Sequence, residues 1–125
     1  MSVFVILNHS LTADQREELE DRFDEVVELT PEQRALWSQI PAEGDHLEVQ
    51  KHIWDILLEV KNHDAVVCQG EFTAFVSVFT LCQTLEKNVF VACSKRETVE
   101  TTGEDGSVTK KAIFRHVQFR RVPRF

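Results

Sequence analysis

The chain has 125 residues, of which 42% are hydrophobic, and its formal net charge is −7 at pH 7. This length suits one domain, residues 1–125, with a modest core that a dimer would help to complete. Residues 1–93 contain 6 Lys or Arg and 17 Asp or Glu, whereas residues 94–125 contain 8 Lys or Arg and 4 Asp or Glu. This distribution excludes wrapping of a long DNA duplex. It allows either a basic pocket for a small anion or a hairpin that is simply solubilised by its charges.

The first half of the chain alternates between apolar strands and capped helices. Residues 3–7 form an apolar, β-branched run, which is typical of a strand buried on both faces of a parallel sheet. Thr12 and Gln15 have capping-box spacing, so a helix is expected to begin near Ala13. A weaker strand at 26–29 precedes a helix that starts at Pro31 and stops before Pro41.

The second half continues the same alternation. Asp45 is expected to cap a helix that runs to Val60. A strand at 65–68 precedes a helix at 71–86, which is apolar on more than one side, so we expect it to be buried by the sheet and by a partner subunit. A buried strand at 89–93 then follows.

The pattern changes after residue 93. The Asp105-Gly106 pair is a turn signal between two β-prone arms, 97–102 and 108–119. We therefore predict an α/β fold, with a Rossmann-like parallel sheet flanked by helices over residues 1–93 and an antiparallel β-hairpin extension over residues 94–125.

Cysteine usage and hydropathy indicate the compartment. Cys68, Cys82 and Cys93 form no C-x-x-C pair, which predicts buried free thiols in a reducing compartment. The apolar run near the N-terminus is too short for a signal peptide and lacks a basic leader, and no run approaches the length of a membrane span. We expect a cytoplasmic protein without membrane association.

Ligands of open parallel sheets bind outside the carboxyl ends of the strands. Three polar segments follow predicted strands: Asn8-His9-Ser10, Gln69-Gly70-Glu71 and Ser94-Lys95-Arg96. Together they supply a hydroxyl, amides, an imidazole, a flexible glycine and two cations, and helix N-termini that favour anions follow the first two. The combination predicts that the three segments converge into one cationic hollow that binds phosphate.

Each of these residues also has an ordinary structural interpretation. His9 and Ser10 suit a loop, Gly70 suits a tight turn, and Lys95 and Arg96 suit solvated surface positions. His116, in the second arm of the hairpin, is more often structural than catalytic in such a place. Arg115 is a surface residue that is also within possible reach of a phosphate.

Other chemistries lack their motifs. The histidines show no H-E-x-x-H pattern and no cysteine at ligand spacing, so we expect no metal. The sequence contains no G-x-G-x-x-G, Walker or G-x-S-x-G motif, so we expect no dinucleotide, ATP or other cofactor and no serine hydrolase. Glu71 has no partner acid and does not indicate a glycosidase.

The chain resembles a known family over nearly its whole length. The segments that carry the resemblance are Asn8–Thr12, Leu36–Pro41, Gln69–Phe72, Ser94–Glu100, the Asp105-Gly106 turn and Phe114–Arg120. They are similar to the small CRISPR-associated proteins of the Csx series, number twenty, which accompany type III CRISPR antiviral systems. The resemblance implies a CARF-like Rossmann domain that binds cyclic oligoadenylate messengers as a homodimer, with ring nuclease activity chiefly on cyclic tetraadenylate.

The expected reaction is metal-independent attack of the substrate's 2′-hydroxyl on the adjacent phosphorus. Lys95 and Arg96 would stabilise charge, and His116 or His9 would act as acid or base. Asn8, Ser10, Gln69, Gly70, Glu71, Ser94 and Arg115 would bind the substrate. Two alternatives remain: a module that sequesters the messenger without cutting it, and an interaction protein whose strand ends are inert.

Overall fold

The computed structural model describes residues 1–124 and has an α/β architecture with one mixed sheet. The strands are β1 (Ser2–Ile6), β2 (Glu25–Glu28), β3 (Ala65–Cys68), β4 (Asn88–Thr102) and β5 (Val108–Arg121). The helices are α1 (Ala13–Arg22), α2 (Pro31–Ser38), α3 (His46–His52), α4 (Trp54–Val60) and α5 (Phe72–Thr84). The prediction of an α/β fold with a C-terminal hairpin is confirmed at this level.

The sheet has the order β2-β1-β3-β4-β5. The first four strands are parallel to their neighbours, and β5 returns antiparallel to β4. Because β1, β3 and β4 are adjacent and parallel, their carboxyl ends point to the same side of the sheet, which we call the carboxyl edge.

Helices cover the two faces of the sheet unequally. On the face that we call the α1 face, Val3, Val5 and Val67 pack with Leu19 and Phe23 around α1. On the opposite face, which we call the α5 face, Phe4 and Val66 belong to a larger core that includes residues of the other four helices. Burial of a strand on both faces produces the continuous apolar runs seen in the sequence.

The predicted helix starts are confirmed in atomic detail. Thr12 accepts a hydrogen bond from Gln15 N while the Gln15 side chain accepts one from Thr12 N, which completes a capping box. Thr30 and Gln33 repeat the arrangement at α2, with Pro31 in its first turn. These side chains satisfy amide groups that have no acceptor within the helix.

Two predicted elements differ from the structure. The helix expected to run from Asp45 to Val60 is interrupted at Ile53, whose φ of −104° and ψ of 20° separate α3 from α4. The strand expected to end at Cys93 continues to Thr102, so the hairpin is an extension of β4 rather than a separate unit. Residues 94–96 are polar, as at the end of a strand, but the β-prone residues on both sides of them belong to one continuous strand.

Candidate functional site at the carboxyl edge

Two of the three predicted segments meet at the carboxyl edge as expected. Ile6 is paired with Cys68, so Asn8-His9-Ser10 and Gln69-Gly70-Glu71 leave the sheet at the same level. Val67 is paired with Phe90, and β4 passes this level and projects beyond it as a hairpin, residues 94–121. The edge is therefore bordered on one side by a protruding two-stranded arm.

Lys95 and Arg96 do not face the same direction, contrary to the single cationic hollow that the sequence suggested. They are consecutive residues of an extended strand, and side chains alternate between the faces of a strand. Lys95 is paired with Arg115 on the α5 face, and Arg96 is paired with Phe114 on the α1 face. Within residues 1–124 both cations are exposed and neither has an ion-pair partner.

Gln69 ends the pairing between β3 and β4. Its side-chain Oε1 accepts a hydrogen bond from Ala92 N at 3.2 Å, and its Nε2 donates to Ala92 O at 3.5 Å. The amide thus imitates one further residue of β3. The N–H and C=O groups of successive residues point to alternate edges of a strand. Those of Ser94 and Arg96 therefore point to the same edge of β4 as those of Ala92, the edge that faces β3, at a level beyond the end of β3.

Gly70 is required by the packing of Trp37. The Trp37 indole N–H donates to Gln69 O at 2.9 Å, and its side chain is buried. A Cβ at Gly70 would lie 2.7 Å from Trp37 Nε1. The close approach at this glycine is therefore to an indole ring of the same chain, which accounts for the residue without a ligand.

Glu71 caps helix α5 and does not stand free. Its carboxylate accepts hydrogen bonds from Thr73 N at 2.9 Å and Ala74 N at 3.0 Å. The hydrogen bond from Thr73 N, followed by that from Ala74 N, holds the pKa of Glu71 below its ordinary value. The amides that were expected to attract an anion at this helix therefore already have an acceptor, as has Gln15 N at α1.

His116 lies against α1, on the α1 face of the hairpin and opposite Ser94. Its Nε2 is 2.8 Å from Glu18 Oε1, and its side chain is only 7% exposed. Its ring also packs against Phe119 at a centroid distance of 4.7 Å, and the Phe119 N–H donates to Glu18 Oε2. These contacts agree with the structural interpretation of this histidine.

The loop after β1 keeps accessible polar groups. Asn8, His9 and Ser10 are exposed, and His9 Nδ1 is 2.8 Å from Ser10 O. Ser10 Oγ accepts a hydrogen bond from Arg34 at 3.3 Å. The His9 imidazole is therefore an exposed titratable group at the carboxyl edge.

Two charged residues beside this loop, Arg34 and Glu28, were not predicted from the sequence. Arg34 of α2 contacts Ser10 and also lies 3.5 Å from Glu28, the last residue of β2. Glu28 in turn binds Arg16 at 2.6 Å and accepts the Leu11 N–H at 3.0 Å. Applying the strand-end rule to the weak strand β2 would have drawn attention to Glu28, but nothing in the sequence indicated Arg34.

An apolar groove lies on the outer surface of α4 and α5. It encloses about 710 Å³ between Trp54, Leu58 and Val76, with Phe72 at one end. Phe72 is 85% exposed and Val76 54% exposed. The sequence predicted that α5 is apolar on more than one side. In the structure Phe72 and Val76 are exposed, whereas Ala74, Val78 and Cys82 are buried in the core.

The remaining chemistry of the described chain is limited. The three thiols are unpaired, and burial raises the pKa of Cys68 well above its usual value and that of Cys82 to about 11. Residues 1–124 contain no group of three or more His, Cys, Asp or Glu side chains placed to hold a metal. None of the helices in that range has the length and apolar composition needed to cross a bilayer.

The described residues thus form a small α/β protein with an open site at the ends of its parallel strands, which a protruding basic hairpin borders on one side. The chain belongs to the family described as Uncharacterized protein MJ1673 family, whose model matches residues 1–120. It is 27% identical over 124 residues to the uncharacterized protein MJ1673 of Methanocaldococcus jannaschii, with 95% of each chain covered. No solved structure matches the chain significantly.

Proposed function

We propose that this protein is a CARF-like, Rossmann-like ring nuclease that binds cyclic tetraadenylate at the carboxyl edge and cleaves it, in the cytoplasm, to end type III CRISPR signalling. The observation that carries the proposal is the placement of Lys95 and Arg96. Both cations lie on the part of β4 that continues beyond the aligned ends of β1 and β3, past the contact of Gln69 with Ala92, where the edge of the strand is open. Neither is neutralised by an acidic side chain within the described chain.

Lys95 and Arg96 lie on opposite faces of β4, but both can contact one ligand that lies against the open edge of this strand. A ring lying over the ends of β1 and β3 would abut that edge, with Lys95 reaching around it from the α5 face and Arg96 from the α1 face. The Ser94 and Arg96 peptide groups would add N–H donors between them. Phosphate oxygens are bound in this way by cations together with backbone amides.

The proposed cleavage requires positioning and charge stabilisation. The 2′-hydroxyl oxygen of one adenylate attacks the adjacent phosphorus, the bond from phosphorus to the 5′-oxygen breaks, and the products carry a 2′,3′-cyclic phosphate and a 5′-hydroxyl. Lys95 and Arg96 would stabilise the additional negative charge on the phosphoryl oxygens. His9 supports the acid or base role better than His116, because His9 is exposed at the edge and His116 is held by Glu18.

A homodimer would suit a symmetric ring, since each subunit offers the same patch to opposite phosphates. The groove on α4 and α5 supports this part of the proposal. Phe72 and Val76 are exposed in the N-terminal half of α5, directly after the Gln69–Glu71 turn. Self-association through this half would bring two carboxyl edges together. Val76→Glu should convert a dimer into a monomer in light scattering, and an unchanged mass would contradict this interface.

Turnover of synthetic rings tests the proposal. Cyclic tri-, tetra- and hexaadenylate are each incubated with the protein in EDTA, and the products are separated by chromatography. We expect cleavage chiefly of the tetraadenylate ring, and at least about tenfold slower single-turnover cleavage by Lys95→Ala. Lys111→Ala is the matched control, because Lys111 is an exposed cation without an ion-pair partner further out on β5 within the described chain. Absence of products from every ring would reject the enzyme.

A messenger-binding module without turnover is the second candidate. The engagement of His116 by Glu18 and of Glu71 by the α5 amides favours it, because few groups remain for proton transfer. Calorimetry with cyclic tetraadenylate separates the candidates. Binding without product under single-turnover conditions supports sequestration, whereas absence of binding rejects both candidates.

A further inference from the structure

We infer that Phe114 and Arg96 form a stacking platform on the α1 face of the hairpin, which takes one adenine base and its phosphate. The inference rests on the proposed function and specifies how the base, rather than the phosphate alone, would be recognised. The observation behind it is an exposed aromatic ring directly across the strand from an unpaired guanidinium. The two residues are register partners, and Phe114 is 71% exposed.

Nothing in the described chain covers the Phe114 ring. Its neighbours on the same face are Ser94 and His116 on one side and Thr98 and Ala112 on the other. Ser94, Thr98 and Ala112 are small, and His116 is turned toward Glu18 and Phe119. An aromatic residue that stabilises a hairpin usually packs on a large cross-strand neighbour, and Phe114 has no apolar one. Its ring therefore remains available to a ligand.

The position of the platform is fixed by the contacts next to it. Two residues further along β5, His116 binds Glu18 of α1 at 2.8 Å, and Phe119 is buried in the α1-face core. These contacts hold the start of the hairpin against α1. Because the strand that carries Phe114 is held in place there, less backbone freedom is lost on binding, which increases affinity.

The chemistry of the pair suits a nucleotide. Directly opposed residues of an antiparallel pair have Cβ atoms about 5 Å apart, so a base on the Phe114 ring would leave its phosphate within reach of Arg96. Aromatic stacking beside a cation is the usual means of binding single-stranded nucleotides. The α5 face at the same level offers Lys95, Arg115 and Glu97 but no aromatic ring. We therefore assign base recognition to the α1 face.

The test measures stacking separately from charge. A cyclic tetraadenylate with one adenine replaced by 2-aminopurine is titrated with wild-type protein and with Phe114→Leu, Phe114→Trp and Val108→Ala. Stacking quenches 2-aminopurine fluorescence. We expect Phe114→Leu to bind about tenfold more weakly and to lose the quenching, whereas Phe114→Trp and the control at exposed Val108 keep both.

A second ligand makes the specificity measurable. Wild-type protein should prefer cyclic tetraadenylate to a synthetic cyclic tetrauridylate of equal charge, and Phe114→Leu should lose most of this preference, because uracil stacks weakly. If wild-type protein binds the adenylate ring and Phe114→Leu binds it with unchanged affinity, quenching and preference, the platform is wrong and the proposed function stands. If wild-type protein binds no ring, the proposed function fails and the platform fails with it.

Discussion

Strands β1 and β3, within residues 1–93, are buried on both faces, whereas the hairpin at residues 94–121 exposes most of its side chains on both. In β1 and β3 nearly every residue is buried, but beyond Cys93 most of β4 is exposed. The first region is acidic and the second is basic. The two regions share β4 and one sheet, so their difference in burial and charge separates residues that hold the fold from residues that are free to bind.

Glu18 provides a side-chain connection between the two regions. From α1, its two carboxylate oxygens contact His116 Nε2 and the Phe119 N–H at 2.8 Å each. Phe119 itself completes the α1-face core. The hairpin is thus anchored at its base and solvated along its length, and we expect stability and binding to respond to different substitutions.

Truncation of an aromatic residue should show this contrast most strongly. Trp37→Ala should lower the free energy of unfolding by about 3–5 kcal/mol, because it empties a buried site and leaves Gln69 O without its donor. Phe114→Ala should change it by less than about 1 kcal/mol, since the ring is exposed. Urea denaturation compares the two variants, and equal losses would contradict the proposed division between the regions.

Removal of the connection should have the next largest effect. Glu18→Ala leaves His116 Nε2 and the Phe119 N–H without acceptors, which should cost about 1–3 kcal/mol. The loss should appear first in the hairpin, as faster amide hydrogen exchange at β5 than at β1 and β3. Glu17→Ala, at the adjacent exposed position of α1, serves as the control. Uniform acceleration across the sheet would indicate that the hairpin has no separate stability.

The cap of α5 should contribute less and depend on pH. Glu71→Ala should cost about 1 kcal/mol near neutral pH, because Thr73 N and Ala74 N lose their acceptor. The pKa of Glu71 is lowered in the folded state by these hydrogen bonds. The stabilisation is therefore present above the unfolded-state pKa, about 4.3, and is lost as the pH falls through the lower folded-state pKa.

Thermal melts of both proteins between neutral and acidic pH measure this effect. The difference in melting temperature between wild type and Glu71→Ala should shrink below about pH 4. Glu86→Ala, at an exposed position just after α5, should show no such dependence. If the difference in melting temperature between wild type and Glu71→Ala stays constant in acid, the charge of the Glu71 carboxylate does not act through the cap.

The sequence predicted the body of the protein well because local signals determined it. Thr12 with Gln15 and Thr30 followed by Pro31 are short-range patterns, and each capped a helix where expected. The hairpin turn at Asp105-Gly106 was equally local, with Gly106 at a φ of 81°. Features that depend on distant residues were missed: the Trp37 ring against Gly70, the Gln69 amide paired with Ala92, and the Glu18 carboxylate beneath His116.

The candidate site shows the same limit. The strand-end rule found the residues of the carboxyl edge, because it needs only the order of strands and their direction. It could not show that Lys95 and Arg96 lie within a continuing strand, since Ser94-Lys95-Arg96 has the composition of a loop. That single difference turns one cationic hollow into two cations that flank an open strand edge.

The smallest effect on stability should come from those cations. Lys95→Ala and Arg96→Ala remove exposed side chains without an ion-pair partner in residues 1–124, so each should change the free energy of unfolding by less than about 0.5 kcal/mol. Removal of Lys95, opposite Arg115, should be neutral or slightly stabilising because like charges repel across a strand pair. Urea denaturation without ligand measures both variants. If the free energy of unfolding falls by more than about 1 kcal/mol in either variant, that cation supports the fold. Slower turnover by the same variant could then no longer be attributed to a lost phosphate contact.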